Sequence, residues 1–172
     1  TPAPLPSPSP TPTPRPPLAL TSTAFGPAAP IPAKYAGCAG QDVSPPLSWN
    51  DPPPGTVTLA LIIHDPDAPV AGGWTHWVLF DMTAQQRSLA EAVPHSAQLA
   101  AGGTHGNNSW DRLGYGGPCP PVGDPAHTYR FTLYAVDRQL GLPASSTRAQ
   151  LLAALQGRTL GEALLTGTYR RP

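Results

Sequence analysis

Apolar and polar positions along the chain follow two periods, and each predicts a different element. Residues 56–65, TVTLALIIHD, carry a nearly continuous apolar, β-branched run, which predicts a central strand buried on both faces. Residues 74–82, WTHWVLFDM, and 128–137, TYRFTLYAVD, predict two more strands. Regular alternation would place Trp74, His76, Val78 and Phe80 on one face, with Thr75, Trp77, Leu79 and Asp81 on the other. In the second of these strands it places Tyr129, Phe131, Leu133 and Ala135 together, opposite Arg130, Thr132, Tyr134 and Val136. LALTSTAF (18–25) predicts a first strand and LLTGTYRR (164–171) a last one. Only SSTRAQLLAALQG (145–157) has helical spacing: a Ser or Thr cap, then Leu151, Leu152 and Leu155, and Gly157 as the stop. NDPPPG (50–55) is a turn, and the Gly-rich segment 103–127 reads as a long surface loop. The expected fold is mainly β, with short antiparallel strands and one or two short helices, as a β-sandwich or a barrel of Greek-key type.

Composition adds a boundary. Of the 26 prolines, nine fall in residues 1–17, a Pro/Thr/Ser run with one charge, Arg15, and almost nothing to bury. Such a run cannot form a core and predicts a proline-rich tail or linker, leaving 18–172 as a single domain. A Pro/Thr linker, in a chain that begins at Thr1, suits an exported, periplasmic or surface-tethered protein; a cytoplasmic protein with a tail is the alternative. Only 12% of residues are charged and the net charge is zero, so no basic stripe is available for nucleic acid. No apolar run reaches the roughly 20 residues of a membrane span.

The chemistry concentrates in DPDAPVAGGWTHW (65–77), which sets Asp65, Asp67 and His76 around prolines and a Gly-Gly pair. Three readings compete. A metal site would draw on His64, Asp65, Asp67, His76 and His127, but HxH and HxxxH spacings are absent. A nucleophilic site lacks a Gly-x-Ser-x-Gly elbow around Ser109, and prolines flank Cys119, leaving only a His/Asp general base. An anion pocket accounts for more of the residues. A carboxylate-held His can stay protonated and donate to an oxyanion, while Tyr and Gly-rich backbone add neutral donors. The acids fit such a ligand if it still carries a proton, as a phosphate monoester does near pH 6, or if it carries an ammonium group. His64, His95 and His105 read as hydrogen-bonded core or surface residues. The two cysteines, Cys38 and Cys119, are one disulfide or two buried thiols.

SPPLSW (44–49), DPDAP (65–69), THWVLF (75–80), GYGGPCPP (114–121) and HTYRFTLYAVD (127–137), in this order, resemble the phosphatidylethanolamine-binding protein family. The nearest likeness is its bacterial, Raf-kinase-inhibitor-like branch. The resemblance spans about residues 20 to 171. It implies a β-sandwich with a small anion cavity for phosphate or phosphorylated head groups, no cofactor and no metal. The implied cavity residues are Asp65, Asp67, Pro69, His76, Gly117, Pro120, Pro121, His127 and Tyr129. The resemblance also implies that the Cys38 and Cys119 loops meet, favouring a disulfide, and that the Ala68–Pro69 bond is cis. Two positions depart from the family pattern: Thr128 replaces an Arg, and Ala39 an acid. The implied function is a non-enzymatic binding protein. The alternatives are a protease or kinase inhibitor with a protein target, acting through rim loop 102–117, and a His/Asp hydrolase.

Overall fold

The computed structural model describes residues 15–172, so positions 1–14 of the expected tail lie outside the described residues. Arg15 donates to the Pro52 carbonyl at 3.1 Å and Asn50 to the Pro17 carbonyl at 2.8 Å, so residues 15–17 lie against the 50–52 turn.

The fold is mainly β with one α-helix. In chain order the strands are β1 (Leu20–Thr21), β2 (Ala29–Pro30), β3 (Leu47–Trp49), β4 (Thr58–Asp65), β5 (Trp74–Thr83), β6 (Ser88–Leu89), β7 (Thr104–His105), β8 (His127–Val136) and β9 (Thr159–Tyr169). A 3-10 turn covers Ala33–Tyr35, and helix α1 runs Arg148–Leu155 between β8 and β9. The strands form a three-stranded antiparallel sheet, β1-β3-β6, and a six-stranded sheet, β2-β9-β8-β4-β5-β7. The larger sheet is mixed, because β2 runs parallel to β9, whereas the sequence pattern suggested antiparallel strands alone.

The apolar run of β4 is explained by burial on both sides. Leu59, Leu61 and Ile63 join Trp77, Leu79, Phe131, Leu133 and Leu165 in one cluster, which the small sheet closes with Leu20, Leu47, Trp49 and Leu89. Ala60 and Ile62 join Val78, Phe80 and Val136 in a second cluster beneath Leu151 and Leu155 of α1. Thr147 caps the helix in a reciprocal capping box with Gln150, and Gly157 follows it at φ +67°.

Five local expectations are corrected. Of segment 18–25 only Leu20–Thr21 is strand, whereas the last strand begins at Thr159, five residues early. The 103–127 segment is not simply a surface loop: it contains β7, and residues 103–106 and 114–118 are buried. The face assignment of β5 fails at His76. Ile63 pairs with Trp77 and His64 with Thr75, leaving His76 as the extra residue of a β-bulge. A bulge breaks the alternation, so His76 faces the same side as Trp77, away from Val78 and Phe80. Finally, the described residues contain no cis peptide bond, so Ala68–Pro69 is trans.

Cys38 and Cys119 form a disulfide with Cα atoms 5.2 Å apart across a sequence separation of 81. Closing a loop of that length restricts the unfolded chain by up to about 4–5 kcal/mol. Replacing both cysteines by serine is expected to lower the urea midpoint and to steepen the denaturant slope, because the unfolded chain without the cross-link is more expanded. A thiol titration of the denatured, unreduced protein is expected to find no free thiol.

Candidate functional site

In an antiparallel sheet the end of one strand lies beside the beginnings of its neighbours. The C-terminal end of β4 therefore meets the N-terminal ends of β5 and β8, and Asp65, Trp74, His76 and His127 gather at one edge. The connections complete a hollow of about 230 Å³: Ala68, Pro69 and Val70 after β4, Trp110, and Cys119, Pro120 and Pro121 before β8. Gly72 (φ +82°) and Gly73 (φ +73°) turn the β4–β5 connection back, so that Trp74 pairs with Asp65. Gly116 lies under the Trp110 ring, where a Cβ would come within 2.5 Å of it.

Of the residues expected to form the cavity, Asp65, Pro69, His76, Pro120, Pro121 and His127 line this hollow. Three do not. Asp67 is exposed, and its carboxylate accepts the Thr128 N–H at 2.7 Å, tying the β4–β5 loop to β8. Gly117 is buried, and its N–H donates to Asp42 at 2.6 Å, so an acid three residues beyond Ala39 holds this loop. Tyr129 lies beneath His76, with ring centroids 5.1 Å apart at 82°, and its buried hydroxyl has no hydrogen-bond partner among the described residues. Burial, then the nearby Asp65 charge, pushes the Tyr129 phenol well up, so it stays neutral.

Trp74 and Trp110 also line the hollow, and sequence reading missed them. They meet edge to face at 5.3 Å, and Trp110 makes a similar contact with His76 at 5.2 Å. Trp74 carried a signal, since alternation puts it on the His76 face. Trp110 carried none beyond being an aromatic in a Gly-rich loop.

The two histidines of the hollow are opposite in character. His127, about 4% exposed, binds Asp65 through Nδ1 at 2.8 Å and Asp124 through Nε2 at 3.3 Å. Burial opposes its charge, but Asp65 and then Asp124 outweigh burial and raise its pKa. His76, 2% exposed, has no carboxylate partner; its Nδ1 donates to the Gly116 carbonyl at 2.6 Å. Burial lowers its pKa to about 4, so it is neutral at pH 7. With the proton on Nδ1, Nε2 keeps a lone pair and makes no hydrogen bond among the described residues. The carboxylate-held histidine is thus His127. The described residues contain no His/Cys/Asp/Glu cluster suited to a metal ion. His105, outside the hollow, is buried with Nδ1 on the Ser96 carbonyl, and burial lowers its pKa.

A family model described as phosphatidylethanolamine-binding protein matches residues 21–170. The UPF0098 protein of Methanothermobacter thermautotrophicus is 45% identical over 152 residues, 88% of this chain and 98% of its own. A Mycobacterium tuberculosis protein named as a lipoprotein, LppC, is 41% identical over 153 residues, covering 89% of this chain and 72% of its own. The solved structure of a phosphatidylethanolamine-binding protein homologue from Chlamydia trachomatis aligns with a TM-score of 0.81 at 39% identity, over 91% of this chain and 99% of the other. Escherichia coli YbcL, described as a new member of the mammalian PEBP family, aligns with a TM-score of 0.85 at 28% identity, over 90% and 99%.

The His76 environment has a stability consequence. A folded-state pKa of about 4, below the ordinary histidine value near 6.5, means that unfolding takes up a proton on acidification. This stability is present above pH 6.5 and is lost as pH falls towards 4, by up to about 3 kcal/mol. His127, whose pKa is raised, acts oppositely: its contribution is full below 6.5 and fades as pH rises through its folded value. Urea unfolding between pH 7 and 4 is expected to be shallower in pH for His76→Gln than for the wild type.

Proposed function

Because the chain belongs to the phosphatidylethanolamine-binding protein family, we propose that it is a non-enzymatic binding protein whose hollow takes a small phosphorylated head group in its singly protonated form. The observation that carries this reading is the division of labour between the two histidines. His76 brings a free acceptor nitrogen and Asp65 a carboxylate, so the walls favour a ligand that carries its own proton. A phosphate monoester does so around pH 6. His127, paired with Asp65 and Asp124 through both ring nitrogens, fixes the Asp65 carboxylate in the wall of the hollow. Trp74, Trp110, Pro69, Pro120 and Pro121 offer an apolar surround for the substituent on the phosphate.

The same arrangement argues against a His/Asp hydrolase. A general base needs a free ring nitrogen and benefits from a carboxylate that orients the ring. His127 has carboxylates but both nitrogens engaged, and His76 has a free nitrogen but no carboxylate. For an inhibitor acting through loop 102–117, the exposed surface contracts to residues 109–113, because most of the loop is buried. The disulfide and the lipoprotein-named relative support a place outside the cytoplasm.

O-phosphorylethanolamine is the test ligand. At ten times its Kd it stabilises the native state by about 1.4 kcal/mol, a rise of roughly 3–6 °C in Tm. The rise is expected to be larger at pH 6 than at pH 8 and to be lost in His76→Ala and Asp65→Asn. An unchanged midpoint in tens of millimolar ligand, against chloride of equal ionic strength, would overturn the proposal.

A further inference from the structure

The opposite face of the large sheet carries a second polar hollow. Helix α1 covers this face over β4 and β5, through Ala60, Ile62, Val78 and Phe80, and reaches β8 at Val136, while Arg130 of β8 and Glu162 and Leu164 of β9 stay exposed. There a cavity of about 190 Å³ is lined by His64, Arg130, Thr132, Tyr134, Arg148 and Glu162, with Ile62 at its base. Register explains the cluster. Arg130 lies opposite His64, Thr132 opposite Ile62 and Tyr134 opposite Glu162, so one cross-strand patch presents them together. Arg148 comes from the first turn of α1, above the sheet.

The charges here are unbalanced. Neither Arg130 nor Arg148 has a carboxylate within 4.0 Å or a side-chain hydrogen bond among the described residues, although other arginines do. Glu162 is the one carboxylate lining the hollow, and it is exposed and without an ion pair among the described residues. Two guanidinium groups facing one cavity repel each other, and an anion between them relieves that repulsion. Planar guanidinium forks match the oxygens of a tetrahedral oxyanion, and the Thr132 and Tyr134 hydroxyls add neutral donors.

We propose that this hollow is a second anion site, in which Arg130 and Arg148 clamp a sulfate or phosphate group. The proposal is independent of the first pocket, because the two sites ask for different protonation states. The first suits a ligand that brings a proton; this one offers cationic donors and suits a fully ionised dianion. Glu162 sets its selectivity, since its charge opposes the same anion. Leu164, opposite Thr132 and 48% exposed, provides an apolar neighbour for the organic part of an ester.

Sulfate distinguishes the sites, because it carries no proton at pH 7.5. Titrating sodium sulfate into ¹⁵N-labelled protein at constant ionic strength is expected to give saturable amide shifts at His64, Arg130, Thr132 and Arg148. Arg130→Gln and Arg148→Gln each weaken binding on the order of tenfold, the loss of one charge-assisted contact. Glu162→Gln tightens it, a change of opposite sign that general damage to the fold would not produce. His76→Ala leaves the titration unchanged. Phenyl phosphate, like sulfate a dianion at pH 7.5, binding more tightly than sulfate identifies an ester as the ligand, and equal affinity identifies the free ion. Non-saturating shifts, or binding that survives in the double arginine variant or disappears in His76→Ala, would reject the site.

Discussion

The burial of β4 on both faces is the constraint on which the rest of the molecule depends. A strand with water on neither side must have both edges paired, so β5 and β8 flank it along nearly its whole length. Both faces must also be covered, one by the small sheet and the other by α1. The apolar run ends at His64 and Asp65, where polar side chains replace it and the strand reaches its neighbours' starting points. The candidate site lies where the core runs out.

At that edge two adjacent residues serve opposite faces. Asp65 turns towards the larger core cluster and anchors His127 in the first hollow. His64 turns the other way, into the hollow of Arg130 and Arg148. The sheet therefore separates an acceptor-rich cavity from a cationic one by little more than its own thickness. Strand alternation suffices to keep the two sets of charges apart.

Irregular backbone gives the first hollow its shape. The 114–121 loop is held by the disulfide, by the Asp42 bond to Gly117, and by reciprocal contacts between His76 and Gly116. The β4–β5 loop is held by Asp67, whose carboxylate crosses to β8 instead of facing the cavity. Residues whose side chains never enter the hollow thus determine where its walls stand.

Periodicity and turn chemistry in the sequence were enough to determine three of the four long strands, β4, β5 and β8, the capped helix and the mainly β character, because each is a local property of a short window. The resemblance carried by DPDAP, THWVLF and HTYRFTLYAVD also marked Asp65, His76 and His127 as cavity residues. Only tertiary structure decided how those residues behave. The bulge at His76 arises from pairing with β4, and it reverses the face that alternation assigns. Whether a histidine is charged depends on its burial and partners, so His127 is raised by two acids distant or offset in sequence while His76 is lowered beneath Trp110. The Cys38–Cys119 bond, the parallel β2–β9 pair and the Arg130–Arg148 hollow likewise join segments far apart in the chain. No local window contains both partners of such a contact, which is why folding had to decide them.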